Sequence, residues 1–270
     1  MKKKMDVFVR AIMLISLTSM ALIVFGCSDS TSSTSGRGQV VVKMVDAPAD
    51  YGQVNIVVTK VEIHNASADA ASGWVVINNG STTYDLISLR NGNSATIGSS
   101  SMDIGHYNQI RLTLGTGCNM VLNGTVMNLE LAGEIQAGLV LNQEFDISEG
   151  ESSELMIDFD VAHSIMLMGT GHYKLMPVCR IAPTKNTGTI SGKVTPVMAK
   201  CTVNAISGAD TLTTVSDTVN GSFKLMAVPP KTYTVHIIPD SFLLQDTTVL
   251  NVNVTAQQNS DIGILALKTR

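Results

Sequence analysis

Beyond residue 38, apolar and polar residues alternate in short runs, and β-branched side chains fill many of the apolar positions. Positions 39–45 and 55–63 are two such runs, and their pattern predicts strands with one face against a core. Asp46-Ala-Pro-Ala-Asp-Tyr51 between them is a loop, because Pro48 biases Ala47 away from helix. Further strands are predicted at 74–77, 83–89, 107–114, 121–131, 139–147, 154–159 and 173–181. A polar, turn-rich stretch at 182–188 follows, and strands resume at 188–195, 201–206, 211–216, 222–227, 231–237 and 247–255. Asn123-Gly124 inside 121–131 signals a tight hairpin, since both turn positions want positive φ, and Asn220-Gly221 marks another turn. So many short strands with regular turn punctuation predict an all-β fold of two tandem antiparallel β-sandwich domains, at 38–182 and 187–270.

The first 37 residues follow a different pattern. Lys2, Lys3, Lys4 and Arg10 precede an apolar stretch at 11–25, broken only by Ser16, Thr18 and Ser19. That stretch is shorter than the roughly 20 apolar residues of a spanning helix, so residues 1–26 are expected to be a signal peptide. Val24-Phe25-Gly26-Cys27 resembles a lipobox, which implies that Cys27 carries fatty acyl chains such as palmitate at the mature N-terminus. Residues 27–37, rich in Ser and Thr, then form a flexible tether, since such a run has too little apolar surface to offset its ordering entropy. Two or three acyl chains hold a protein at a bilayer far more firmly than one. Ser28 resembles the residue that follows the acylated Cys in outer-membrane lipoproteins, so the expected address is the outer membrane or cell surface.

Charge narrows the choice of partner. Residues 38–182 carry 6 Lys and Arg against 15 Asp and Glu, a net charge of -9 that repels phosphate backbones and excludes nucleic acid. Besides the membrane itself, an envelope protein, a glycan or a cation remain open as partners.

Val45-Asp-Ala-Pro-Ala-Asp-Tyr51, Tyr84-Asp-Leu86, Gly105-His-Tyr-Asn-Gln-Ile-Arg-Leu112 and Asp158-Phe-Asp-Val-Ala-His-Ser-Ile165 together resemble a bacterial lipoprotein domain of unknown function. The resemblance implies a secreted β-domain and no particular reaction. Further on come Gly188-Thr-Ile-Ser-Gly-Lys-Val194, Asn220-Gly-Ser-Phe223 and Val228-Pro-Pro-Lys-Thr-Tyr-Thr-Val235. These resemble the carboxypeptidase regulatory-like, or transthyretin-like, β-sandwich, which implies a folded spacer or interaction module without catalytic residues.

Asp46, Asp50, Asp85, Asp158 and Asp160 are candidate oxygen ligands for Ca²⁺, although no EF-hand spacing is present. The competing reading has Asp46 and Asp85 capping turns, and Asp158 and Asp160 sharing a strand face paired with Arg111 or Arg180. Gly105-His106-Tyr107 and Gly171-His172-Tyr173 each enter a strand, where a Tyr commonly hydrogen-bonds back to the adjacent turn as a tyrosine corner. Glu144, Asp146, Glu149, Glu151 and Glu154 cluster around a turn at Gly150, as solvated loops do. If Cys27 is acylated, Cys118, Cys179 and Cys201 remain, with a Cys118–Cys179 disulfide and three free thiols as the alternatives. No CxxC, HExxH or GxSxG pattern occurs.

The sequence therefore favours a membrane-anchored, non-catalytic binding or assembly protein of the envelope, with no cofactor required. One alternative is a metal-assisted hydrolase, which requires Asp46, Asp158, Asp160 and His163 to meet in one pocket. The other is a purely structural envelope protein.

Overall fold

The computed structural model describes residues 36–47, 51–169 and 171–270. Residues 1–35, among them Cys27, and Asp50 lie outside the described residues. Gly36–Arg270 is one compact unit, and within it the fold is all-β.

Strand β1 (Arg37–Ala47) organises the first half. Its first residue belongs to the stretch expected to be tether, and it is ordered by an ion pair between Arg37 and Asp103 at 3.1 Å. β2 (Gln53–Asn65), β3 (Trp74–Asn78), β4 (Thr82–Asp85), β5 (Ala95–Asp103), β6 (Gly105–Leu114), β7 (Asn119–Leu122) and β8 (Thr125–Leu131) follow. After a short helix α1 (Gly133–Ala137) come β9 (Leu139–Ile147), β10 (Ser152–Asp160), helix α2 (Val161–Ser164), β11 (Ile165–Leu167), β12 (Tyr173–Leu175) and β13 (Cys179–Pro183). One sheet has the order β13-β10-β1-β5, and the other β11-β12-β8-β7-β2-β6-β9, with β3 and β4 also on β2. Val40, Val42 and Met44 of β1, Leu155, Ile157 and Phe159 of β10, Ile56 and Ile63 of β2 and Ile110 and Leu112 of β6 meet in the core between the sheets.

The second half runs through β14 (Gly188–Thr195), β15 (Cys201–Ser207), β16 (Asp210–Val215), β17 (Ser222–Val228), β18 (Thr232–Pro239), β19 (Thr247–Asn253) and β20 (Asn259–Ala266). Sheets β17-β14-β20 and β16-β15-β18-β19 enclose a separate core around Ile190, Val203, Phe223, Tyr233 and Val235. Gly221, with φ of 75°, lies so close to β14 that a Cβ would stand 2.3 Å from the Val194 carbonyl oxygen. The Asn-Gly turn is thus fixed by backbone conformation and by space together.

Several elements differ from the sequence pattern for local reasons. The stretch 83–89 divides into β4 and a 3-10 helix, because Asp85 accepts from the Ile87 amide and caps the turn. Asn123 and Gly124 both take positive φ and divide 121–131 into β7 and β8. β5 carries three consecutive serines and is not among the strands predicted from sequence; Ile97 and Met102 bury its inner face, and β1 supplies its ladder. β20 extends the strand set, closing the second half by pairing with β14. The β1/β10, β8/β12 and β14/β20 pairs are parallel, so the antiparallel arrangement expected from sequence holds only for the other pairs.

The two halves touch through side chains that point away from the first core. Val45, Met156, Met226 and Ala227 form a small apolar cluster, and the Asn91 Nδ2 donates to the Ser222 carbonyl at 3.1 Å.

Candidate functional site

Strand alternation decides which acidic residues can act together. In the β1/β10 ladder Val45 lies opposite Asp158 and Asp46 opposite Phe159. Side chains paired in register share a face, so Asp46 follows Met44 inward with the buried Phe159, while Asp158 and Asp160 point outward toward β16 and β17. Asp46 and Asp158 nevertheless both line a small cavity beside Leu89 and Met226, whereas the cleft that holds Asp158, Asp160 and His163 does not include Asp46. Asp46 is 6% exposed, and its Oδ1 accepts from the Val161 amide at 3.4 Å. Its Oδ2 is buried with no hydrogen-bond partner among the described residues. Burial, with a smaller push from the Asp158 and Asp160 charges, raises this carboxyl to about 9, against the pull of the Val161 amide and Arg90.

Asp158 and Asp160 share a cleft of about 270 Å³ with His163, Cys179 and Arg180 on one wall and Thr211 to Thr213 on the other. Each is engaged. Asp158 Oδ2 accepts from Arg180 Nη2 at 2.8 Å, and Arg180 Nη1 donates to the Ala227 carbonyl at 2.9 Å, so one guanidinium joins both halves. Burial pushes Asp158 up, and Arg180 only partly offsets this. Asp160 caps α2, accepting from the His163 amide at 3.1 Å, with the His163 Nδ1 at 2.7 Å from its other oxygen. The Ser164 hydroxyl donates to the Asp160 carbonyl and accepts from the Val178 amide. That hydroxyl is held in the backbone network and faces no general base.

Among the described residues Cys118, Cys179 and Cys201 are free thiols, so of the two alternatives the Cys118–Cys179 disulfide is the one not formed. Cys118 sits in the core below β2, where its Sγ accepts from the Val57 amide at 3.4 Å. Cys179 lies on β13, and burial followed by Asp158 and Asp160 pushes its thiol far up, so it is not a poised nucleophile.

Several of the remaining sequence candidates also have structural partners, whereas Tyr173 makes no tyrosine-corner hydrogen bond among the described residues. Asp85 accepts from the Val54 and Ile87 amides. The Tyr107 hydroxyl donates to the Asp103 carbonyl at 2.9 Å as a tyrosine corner, and the buried Tyr233 makes the same contact with Pro229 at 3.0 Å in the second half. His106 pairs with Asp146 at 2.8 Å and Glu154 with Lys43 at 2.5 Å. Among the described residues, no group of three His, Cys, Asp or Glu side chains is placed to hold a metal ion, and no helix is long and apolar enough to cross a membrane.

One constellation has no motif in the sequence. Arg111 pairs with Glu62 rather than with an aspartate, its Nε donating at 2.7 Å, and its guanidinium lies 4.0 Å from the Trp74 ring centroid. The alternation of β2 hides this, because a bulge between Val58 and Lys60 shifts Lys60, Glu62 and His64 to the outer face.

No curated protein matches the chain. Among solved structures, similarity is found to a type II cohesin–X-dockerin complex from Acetivibrio cellulolyticus with a mutated C-terminal interface. The identity is 23% and the TM-score 0.24, over 30% of this chain, and the match spans 58% of that chain. The minor pilin of Streptococcus agalactiae matches at 9% identity and TM-score 0.26, over 86% of this chain and 96% of the pilin. A C-terminal fragment of the pilus adhesin SpaC from Lactobacillus rhamnosus GG matches at 10% identity and TM-score 0.21, over 86% and 98%. Scores this low leave the functional question to the family and to the geometry above. The model of the domain of unknown function DUF4382 matches residues 37–177, more than half of the sequence, and the chain belongs to that family.

Proposed function

We propose that the chain is a non-catalytic binding or assembly protein of the cell envelope, moored by acyl chains on Cys27 and exposed at the outer membrane or cell surface. The observation that carries this reading is the engagement of the cleft's polar side chains in structural bonds: Asp158 through Arg180 to Ala227, and Asp160 in the cap of α2. A hydrolase built on Asp46, Asp158, Asp160 and His163 needs all four in one pocket, and the cleft that holds the other three does not include Asp46. We further propose two modules, 38–182 and 187–270, the second a carboxypeptidase regulatory-like sandwich serving as spacer or interaction domain. The partner is an envelope protein or a glycan, with Ca²⁺ as a candidate ligand of the acidic module.

Two measurements test this. Cells fed an alkyne analogue of palmitate should label the full chain and not Cys27→Ala, and equal labelling refutes the anchor. The detergent-solubilised chain should retain a specific partner from envelope extract or a glycan array, with or without Ca²⁺. Retention of nothing in any condition, with envelope damage on deletion, replaces the binding role by a structural one.

A further inference from the structure

The outer face of the larger sheet carries two rows of side chains that cross four strands. Register places Trp74, His64, Gln109 and Asn142 in one row across β3, β2, β6 and β9, and Val76, Glu62, Arg111 and Val140 in the next. At a strand spacing of about 4.8 Å each row spans about 14 Å. The second row is rigid: Glu62 holds Arg111 at 2.7 Å and Lys60 at 3.2 Å, and Arg111 lies over Trp74. In the first row His64 is buried, with Nδ1 2.9 Å from the Asn108 Oδ1 and Nε2 3.1 Å from the Asp69 carbonyl.

Where the first row reaches β6 and β9 it opens into a trough of about 480 Å³ lined by Asn108, Gln109, Asn142, Gln143 and Glu144. Gln109 donates to Asn142 at 2.9 Å and Gln143 to the Glu144 carbonyl at 2.8 Å. Each amide carries two donor hydrogens and an acceptor oxygen. These contacts leave the Gln109 and Gln143 oxygens and the Asn108 and Asn142 nitrogens without a partner among the described residues.

From this arrangement we infer that the trough binds a saccharide. A hydroxyl both donates and accepts, and four amides with unspent donors and acceptors lining one trough match a ligand dense in such groups. An anion would meet Glu144, a cation would find a single carboxylate, and an apolar ligand would find no apolar lining. Trp74, two strands away in the same row, is covered by the Arg111 guanidinium and packed against His64, so the trough offers hydrogen bonding and no stacking face. The inference deepens the binding role proposed above by naming the ligand class. It fails separately from that role, because a protein partner captured elsewhere does not depend on these amides.

The test uses the detergent-solubilised full chain on immobilised cellohexaose, chitohexaose, mannohexaose and maltohexaose, followed by titration calorimetry with any that are retained. At least one should bind, and Gln109→Ala with Asn142→Ala should weaken it at least tenfold with the thermal midpoint unchanged. Should the double variant unfold, Asn142→Asp keeps the shape, removes the donor and should weaken binding in the same sense. Retention of none of the four, or equal binding by the folded variants, overturns the inference.

Discussion

Asp46 is the place where physical chemistry makes the sharpest demand on this fold. Its carboxyl lies inside the sandwich with one oxygen unpartnered among the described residues, so the native state keeps the proton up to a pH of about 9, while the unfolded chain releases it near 3.8. A raised carboxyl stabilises the fold fully below the unfolded value, and that stability is lost as pH climbs toward the folded one. Each pH unit in the window removes ~1.4 kcal/mol, so by pH 7, just over three units above 3.8, the loss is about 4 kcal/mol. Asp46→Asn keeps the Oδ1 acceptor for the Val161 amide and carries no titrating proton. Wild type and variant should therefore unfold at similar urea concentrations at pH 4 and diverge steadily as pH rises. At pH 7 the variant should be more stable by a few kcal/mol, on the order of 10 °C in thermal midpoint for a chain of this size. Asp158, also raised, slopes both proteins alike and cancels in the difference. Urea titrations at pH 4, 6 and 8 decide the matter: a difference that stays constant across pH means that Asp46 is ionised in the fold.

Arg180→Ala strips the half-buried Asp158 of its counter-charge and Ala227 of a donor, and should cost about 3 kcal/mol by urea unfolding at pH 7. Arg180→Lys should fall between that variant and wild type, and a value equal to wild type refutes the bridging role. Tyr233→Phe and Tyr107→Phe each remove one corner hydrogen bond and should each lower stability by ~1 kcal/mol, with unchanged urea midpoints as the refuting result. Full-length Cys27→Ala, denatured without reductant, should titrate three thiols; finding one would restore the Cys118–Cys179 bond.

Strand content was legible wherever apolar residues kept period two or a turn carried Asn-Gly, as at Asn123-Gly124 and Asn220-Gly221. It was not legible in β5, whose serines owe their strand to the partner β1 and to two buried side chains, Ile97 and Met102. Of the acidic candidates, Asp85 and Asp160 hydrogen-bond to nearby amides, a tendency carried by the residue type itself. Arg180 was one of two arginines that charge pairing allowed for Asp158, and its second contact, with Ala227, depends on how the two halves dock.

By itself the sequence determined the all-β class, the turns and the absence of a catalytic motif, because these follow from period, backbone conformation and residue type within a few positions. The exclusion of Asp46 from the cleft of Asp158 and Asp160, the free state of Cys118 and Cys179, and the assembly of Glu62, Arg111 and Trp74 were decided only by the tertiary structure. The reason is strand register: a shift of one residue, or a single bulge, sends every side chain beyond it to the other face, and register is set by partners distant in sequence.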